Sequence, residues 1–193
     1  MQAFRKDLLT ELANFGREND QAHTAREAKM LNITPDTGPF LALLVKTGRY
    51  SRILEIGTSN GYSTIWLADA AGQTGGRVTT LERSAAKAVL ARANFERAQV
   101  EVELVVADAD EWLPAQTGAS FDFIFLDSDR GQYAGWWPVL QRLLMPGGLI
   151  VADNAVSHAA EMQAFIELTA SAPGFDTALV PVGNGEWLIR KEA

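Results

Sequence analysis

From residue 52 onward the chain alternates short β-prone runs with helical segments, and this alternation restricts the fold more than any other feature. "RILEI" (52–56), "RVTTLE" (77–82), "VELVVA" (102–107), "FDFIFLD" (121–127) and "GLIVADN" (148–154) read as strands. "YSTIWLADAA" (62–71), "SAAKAVLARANFERA" (84–98), "ADEWLP" (109–114), "YAGWWPVLQRLL" (133–144) and "AAEMQAFIELTAS" (159–171) read as helices. Ser84 is the expected N-cap of the second of these, and Pro138 sits awkwardly inside the fourth. Such alternation implies a parallel sheet covered on both faces. Right-handed crossovers then bring the strand C-termini to one edge, where ligands bind at the switch in strand order. Ahead of this core, residues 4–30 are amphipathic, with Leu8, Leu9, Leu12 and Phe15 at helical spacing, and "PFLALLVKTG" (39–48) reads as a further helix. "FDTALVPV" and "EWLIRK" flank Gly183-Asn184-Gly185, a hairpin signal. The expectation is one doubly wound, Rossmann-like α/β domain over residues 1–193, with N-terminal helices (1–48) and an α/β core (49–193). Its sheet is mostly parallel and ends in an antiparallel hairpin.

Composition narrows the function. With 47% apolar and 21% charged residues, the chain is neither disordered nor fibrous. No apolar run reaches the length of a membrane span. "MQAFRKDLLTELANFGREND" mixes both charge signs with no uninterrupted apolar stretch, so it does not read as a secretory signal, and a cytoplasmic protein is expected. The absence of cysteine removes disulfides, thiolate zinc sites and a cysteine nucleophile together. A net charge of −7 weighs against binding long nucleic acid through its phosphates.

The strand exits carry the polar residues. They are Glu55 and Gly57 after the first strand, Glu82 after the second, Asp108 after the third, Asp127 after the fourth, and Asp153 with Asn154 after the fifth. Gly57-Thr58-Ser59-Asn60-Gly61 is G-x-x-x-G, not the dinucleotide pattern G-x-G-x-x-G. It suits a nucleotide site or a plain tight turn. Glu82, 25 positions past Gly57, is placed to accept both hydroxyls of a ribose, or is a solvated strand end. Asp127, Asp153 and Asn154 make a hard oxygen set suited to Mg²⁺, Mn²⁺ or Ca²⁺ and not to zinc. Helix capping explains one such residue better than three that converge.

"ILEIGTSNGYSTIWLA", "VTTLERS", "FDFIFLDSDRGQY" and "LMPGGLIVADN" together resemble the cation-dependent O-methyltransferases, the group of the catechol and caffeoyl-CoA enzymes. The resemblance covers residues 30 to 190 approximately. It implies a class I methyltransferase fold, S-adenosylmethionine (SAM) in the glycine turn, and a divalent cation at Asp127, Asp153 and Asn154. It places Glu55, Gly57, Ser59, Gly61, Tyr62 and Ser63 in the first cofactor motif, with Ser63 near the methionine carboxylate. Glu82 and Arg83 fall at the ribose, Asp108 and Ala109 at the adenine, and Asn32 and Ile33 in a backbone stretch over the methionine end. Asp127 touches both metal and cofactor. The acceptor implied is a small catechol-like molecule, and the assembly a homodimer.

One residue departs from the family pattern. Arg130 stands where the family carries a lysine regarded as the base, and arginine stays protonated at ordinary pH. Its remaining roles are to stabilise an oxyanion, to hold a substrate carboxylate, or to be a surface arginine. Tyr133, Trp136 and Trp137 either wall the acceptor pocket or pack in the core. His158 is a candidate base or a loop histidine, and His23 a solvated one. Three rivals remain: an NAD oxidoreductase, disfavoured by the missing glycine pattern; a tRNA hydroxyuridine methyltransferase using Arg49, Arg52 and Arg130 as a basic patch; and a binding module without catalysis.

Overall fold

All 193 residues are described by the structure, a computed structural model. Its strands are β1 (Arg52–Ile56), β2 (Arg77–Glu82), β3 (Glu103–Val106), β4 (Phe121–Leu126), β5 (Leu144–Ala152), β6 (Phe175–Val180) and β7 (Glu186–Lys191). They form one sheet in the order β3-β2-β1-β4-β5-β7-β6. The first five strands pair in parallel, and β7 runs antiparallel to both β5 and β6. The expected doubly wound sheet with a terminal hairpin is therefore present, and its order reverses between β1 and β4.

Seven helices cover the sheet: α1 (Ala3–Ala22), α2 (Thr37–Gly48), α3 (Tyr62–Thr74), α4 (Ala85–Ala98), α5 (Ala109–Ala115), α6 (Tyr133–Leu143) and α7 (Ala159–Ala170). Alternate residues along each strand face opposite sides, so the apolar strands feed two cores of nearly equal size. On one face 22 buried residues join α1 to α4 with Ile53, Val78, Phe123, Phe125 and Val151. On the other, 21 join α5, α6 and α7 with Leu54, Ile56, Ile124, Leu126, Ile150 and Ile189. Burying a single leucine-sized side chain stabilises by about 2 kcal/mol, so each face anchors its helices independently of their modest intrinsic propensity.

Polar clamps set the edges. The Asp122 carboxylate accepts the backbone N–H groups of Ser51 and Arg52, each at 2.8 Å, and ties the start of β1 to β4. Arg5 joins α1 to α3 through Asp69 at 2.8 Å and to the end of α4 through the carbonyl of Ala98. Ser84 caps α4 as expected by accepting the N–H of Lys87.

Several boundaries differ from the sequence reading. β5 begins at Leu144, within the span read as helix, because "LMPGG" stays extended and pairs Leu144 with Phe121 before a register shift. That shift absorbs Pro146, which lacks an N–H for a regular ladder. Strands β4 and β5 stop at Leu126 and Ala152, so Asp127, Asp153 and Asn154 lie just beyond the ladder.

The β1-to-α3 turn rests on Gly57, whose φ of +111° is disfavoured for side-chain-bearing residues. A Cβ there would lie 2.0 Å from the carbonyl oxygen of Asp127. Gly57→Ala is expected to destabilise the protein by about 2–3 kcal/mol or more, seen as a lower urea midpoint; an unchanged midpoint would contradict the need for this contact.

Candidate active site

The glycine turn is built from the inside outward. Glu55 lies within β1, wholly buried, and its carboxylate accepts hydroxyl hydrogen bonds from Ser63 at 2.6 Å, Thr80 at 2.6 Å and Thr64. Burial pushes its pKa up to about 7, against the pull of those three hydroxyls and with a small further rise from Glu82. Glu55 is thus a buried strut under the turn. Ser63, 5% exposed at the start of α3, points its hydroxyl at that strut. Tyr62 packs into the core beside α2, and its N–H is taken by Asn60.

Glu82 ends β2 and bridges two turns. One oxygen accepts the N–H of Ser59 and the other the N–H of Ser84, both at 2.8 Å. Each carboxylate oxygen has a second lone pair, so both remain able to accept from ribose hydroxyls. Arg83, next in sequence, is exposed. Asp108 caps α5 through the N–H of Asp110 at 3.0 Å, beside the half-exposed edge of β3, and Ala109 follows it into the helix. The Ser59 hydroxyl donates to the carbonyl of Met30 at 2.6 Å, which lays the segment before α2 against the turn. Asn32 in that segment donates to Leu12, leaving its own buried amide oxygen without a donor, and Ile33 is core. The predicted cofactor residues from Asn32 to Ala109 therefore lie along the C-terminal edge of β1, β2 and β3, apart from the side chains of Tyr62 and Ile33, which point into the core, and of Asn32, which bonds to α1.

The second group lies across the switch point. Leu126 pairs with Ala152, which sets Asp127 and Asp153 side by side where β4 and β5 end. Asp153 is 2% exposed and Asn154 is 8% exposed. Asn154 adopts a left-handed conformation, φ +73°, which asparagine tolerates better than most residues. Its amide nitrogen faces Asp127 Oδ1 at 3.5 Å, and its oxygen accepts from Ser157 at 3.2 Å. A half-turn of that amide presents oxygen to Asp127 instead. Burial holds the Asp127 carboxyl well above the usual carboxylate range, with further rises from Asp153 and Glu55; Arg130 and Arg26 pull the other way. Asp153 is raised by burial too, against hydrogen bonds from its neighbours and the charges of Arg130 and His158.

Arg130 is no surface arginine. It is 7% exposed and its Nε donates to Glu161 of α7 at 2.9 Å, pinning that helix beside the exit of β4. It also stands at the opposite end of the sheet from Arg52, which opens the parallel strand β1, and Arg49, which precedes it, so these three arginines form no single basic patch. Tyr133, Trp136 and Trp137 are core residues: Tyr133 receives the N–H of Ser128 at 2.7 Å, Trp136 donates to Asp110, and Trp137 packs edge-on against Phe165 and Phe175. His158 sits at the start of α7 with Nδ1 2.9 Å from the Ser157 hydroxyl, while His23 is exposed and bonded to its own helix.

One residue of the site escaped the sequence reading. Glu186 opens β7 and is wholly buried, with Thr37 donating to Oε1 at 3.1 Å and Oε2 without any donor. Burial and then the charge of Asp153 push its pKa up to about 9. Nothing local marks it, since only the antiparallel register brings it to Asp153.

The donor set of Asp127, Asp153 and Asn154 fits a hard divalent cation: the carboxyl and amide groups supply oxygen donors, and an ion there would favour the ionised form of two carboxyls that burial holds above their ordinary range. Without the amide the set is incomplete, because no three histidine, aspartate or glutamate side chains converge closely enough to hold an ion.

The sheet order β3-β2-β1-β4-β5-β7-β6, with a glycine turn at the switch point beside Glu82, matches a Rossmann-like methyltransferase of class I. The chain belongs to the O-methyltransferase family, which it matches over residues 5–192. It is 36% identical over 180 residues to a catechol O-methyltransferase of Mycobacterium tuberculosis, covering 86% of this chain and 81% of that one. Among solved structures it is similar to the O-methyltransferase of Bacillus cereus in complex with SAH, at 31% identity and a TM-score of 0.81, covering 96% and 91% of the two chains. It is also similar to an O-methyltransferase of tomaymycin synthesis from Streptomyces achromogenes in complex with SAM, at 27% identity and a TM-score of 0.80, covering 97% and 90%. The protein is a SAM-dependent O-methyltransferase.

The buried carboxyls give the metal-free protein a definite pH response. A carboxyl raised on folding binds more protons folded than unfolded, so stability falls as pH rises from its ordinary pKa to its folded one. For Glu55 that window runs from 4.5 to about 7 and for Glu186 from 4.5 to about 9. Between pH 5 and 9 the melting temperature is expected to fall, and Glu55→Gln to flatten the lower part, where Glu55 accounts for about 3 kcal/mol. A wild-type slope in that variant would assign the response to other groups.

Proposed function

We propose that the enzyme methylates one oxygen of a small acceptor carrying two adjacent oxygens, of the catechol type, chelated to a divalent cation held by Asp127, Asp153 and Asn154. The observation that carries this reading is the lateral pairing of Asp127 and Asp153 directly against the glycine turn, with Gly57 packed on the Asp127 carbonyl. The cofactor's methyl and any ligand of the aspartates then share one small region. A relative named for catechol methylation supports the acceptor class.

Each residue has a definite task in this reading. Glu82 orients the ribose, and the segment through Asn32 and Ile33, held by the Ser59 bond to Met30, covers the methionine end. The Ser63 and Thr64 hydroxyls on Glu55 keep the turn from shifting. A bound cation would lower the pKa of the acceptor hydroxyl and fix its oxygen near the methyl group. Transfer breaks the S–C bond of the sulfonium and forms the O–C bond, and the hydroxyl proton leaves to solvent. Arg130 does not take that proton. Its charge, held by Glu161, steadies Asp127 and Asp153 and faces the anionic acceptor. Charge is annihilated in the step, so exclusion of water favours it. The separation of Arg130 from Arg49 and Arg52 favours a small acceptor over tRNA.

A chelator is expected to abolish methyl transfer to a panel of catechols, and Mg²⁺ or Mn²⁺ to restore it; full activity in chelator removes the cation from the reaction. Asp153→Ala should lower kcat about 100-fold or more while SAM affinity stays within about threefold. Normal turnover in that variant would show that the aspartate does not serve the reacting oxygen.

A further inference from the structure

Three carboxylates stand in one lateral row at the sheet edge. Leu126 pairs with Ala152 and Ala152 with Trp187, so the next row is Asp127, Asp153 and Glu186. The flanking residues Phe125 and Val151 face the core of α1 to α4, and Leu188 packs against it. By the two-residue period of a strand, all three carboxylates project to that same side. Directly opposed side chains on paired strands lie about 5 Å apart at Cβ, and like charges there are destabilising. Asp153 and Glu186 follow the Ala152–Trp187 pair and so face each other at the end of the β5–β7 ladder.

Glu186 is also unlike an ordinary buried glutamate in its bonding. Thr37, itself wholly buried, occupies Oε1 alone, and Oε2 has no donor although no part of the residue reaches solvent. A buried carboxylate oxygen without a partner is costly. No arginine, lysine or histidine pairs with it within salt-bridge distance. The nearby cationic groups act on Asp127 and Asp153.

The geometry points to Glu186 as a supporting carboxylate behind Asp153, outside the ion's own ligands, that fixes that aspartate's orientation when a divalent ion binds. This rests on the cation reading of the site. Glu186 is a positioning residue, not a catalytic one, since the acceptor is assigned to the two aspartates and Asn154. The consequence is a higher affinity for a divalent cation than two aspartates and an amide provide alone.

Mn²⁺ binding to the full chain saturated with S-adenosylhomocysteine tests this by calorimetry and by the manganese EPR signal. Glu186→Gln keeps the volume and an acceptor for Thr37 but removes the group that can ionise when a cation binds. It is expected to weaken Mn²⁺ binding about tenfold or more, as loss of a supporting carboxylate does elsewhere. Its metal-free melting temperature should be unchanged or higher, because a buried acid with an unpartnered oxygen is replaced by an amide that can donate, while the rise on adding Mn²⁺ shrinks. Wild-type or tighter binding by this variant overturns the assignment of Glu186 alone. A wild-type protein that binds no Mn²⁺ overturns the cation reading and this inference with it. If the glutamine variant does not fold, Glu186→Ala read by EPR decides the same point: weaker binding supports the assignment, and wild-type binding overturns it.

Discussion

At the switch in strand order, β1 and β4 leave the sheet side by side, and Gly57 lies so near the carbonyl of Asp127 that no side chain fits between them. The first strand's exit would hold a nucleotide cofactor and the fourth strand's exit the first of the paired aspartates. Because the two exits touch through backbone, their separation is set by sheet spacing, about 4.8 Å between strands, and not by flexible side chains. A transfer reaction needs that kind of fixed placement, since an error of about 1 Å costs heavily in rate.

The same edge gathers acids, and the fold treats each one differently. Glu55 is held by three hydroxyls and Glu82 by two backbone N–H groups. Both are satisfied acceptors that stiffen the glycine turn. Asp127 and Asp153 have the nearby charge of one buried arginine, which is itself paired with Glu161, and Glu186 has a single threonine. Compensation thus declines from β1 toward β7, and the uncompensated end is where a cation has most to gain. Arg130 fits this gradient: its permanent charge lowers the raised pKa of both aspartates without offering a proton acceptor of its own.

Much of this was legible in the chain. Period and turn chemistry located all seven strands and the helices between them, and the polar residues at strand exits marked the ligand edge. Tertiary contacts moved one boundary and decided between alternatives that the local pattern left open. β5 starts inside a span that reads as helix because Leu144 finds Phe121 across the sheet. Tyr133, Trp136 and Trp137 follow an aspartate exit but turn into the opposite core, where their rings meet Phe165 and Phe175. Arg130 looks like a solvent-facing residue in "DSDRGQY" and is instead enclosed under α7.

The sequence by itself determined the alternation of strands and helices, the glycine turn, and which strands end in carboxylates, because these depend on residues a few positions apart. Which carboxylates become neighbours was decided by the tertiary structure. Glu186 lies 33 residues beyond Asp153 and meets it only because β7 inserts antiparallel between β5 and β6. A hairpin signal predicts that two strands pair with each other, but not which of them docks on the sheet or in what register. That choice follows from burying Trp187 and Ile189 in the core of α5 to α7, which turns Glu186 to the opposite face.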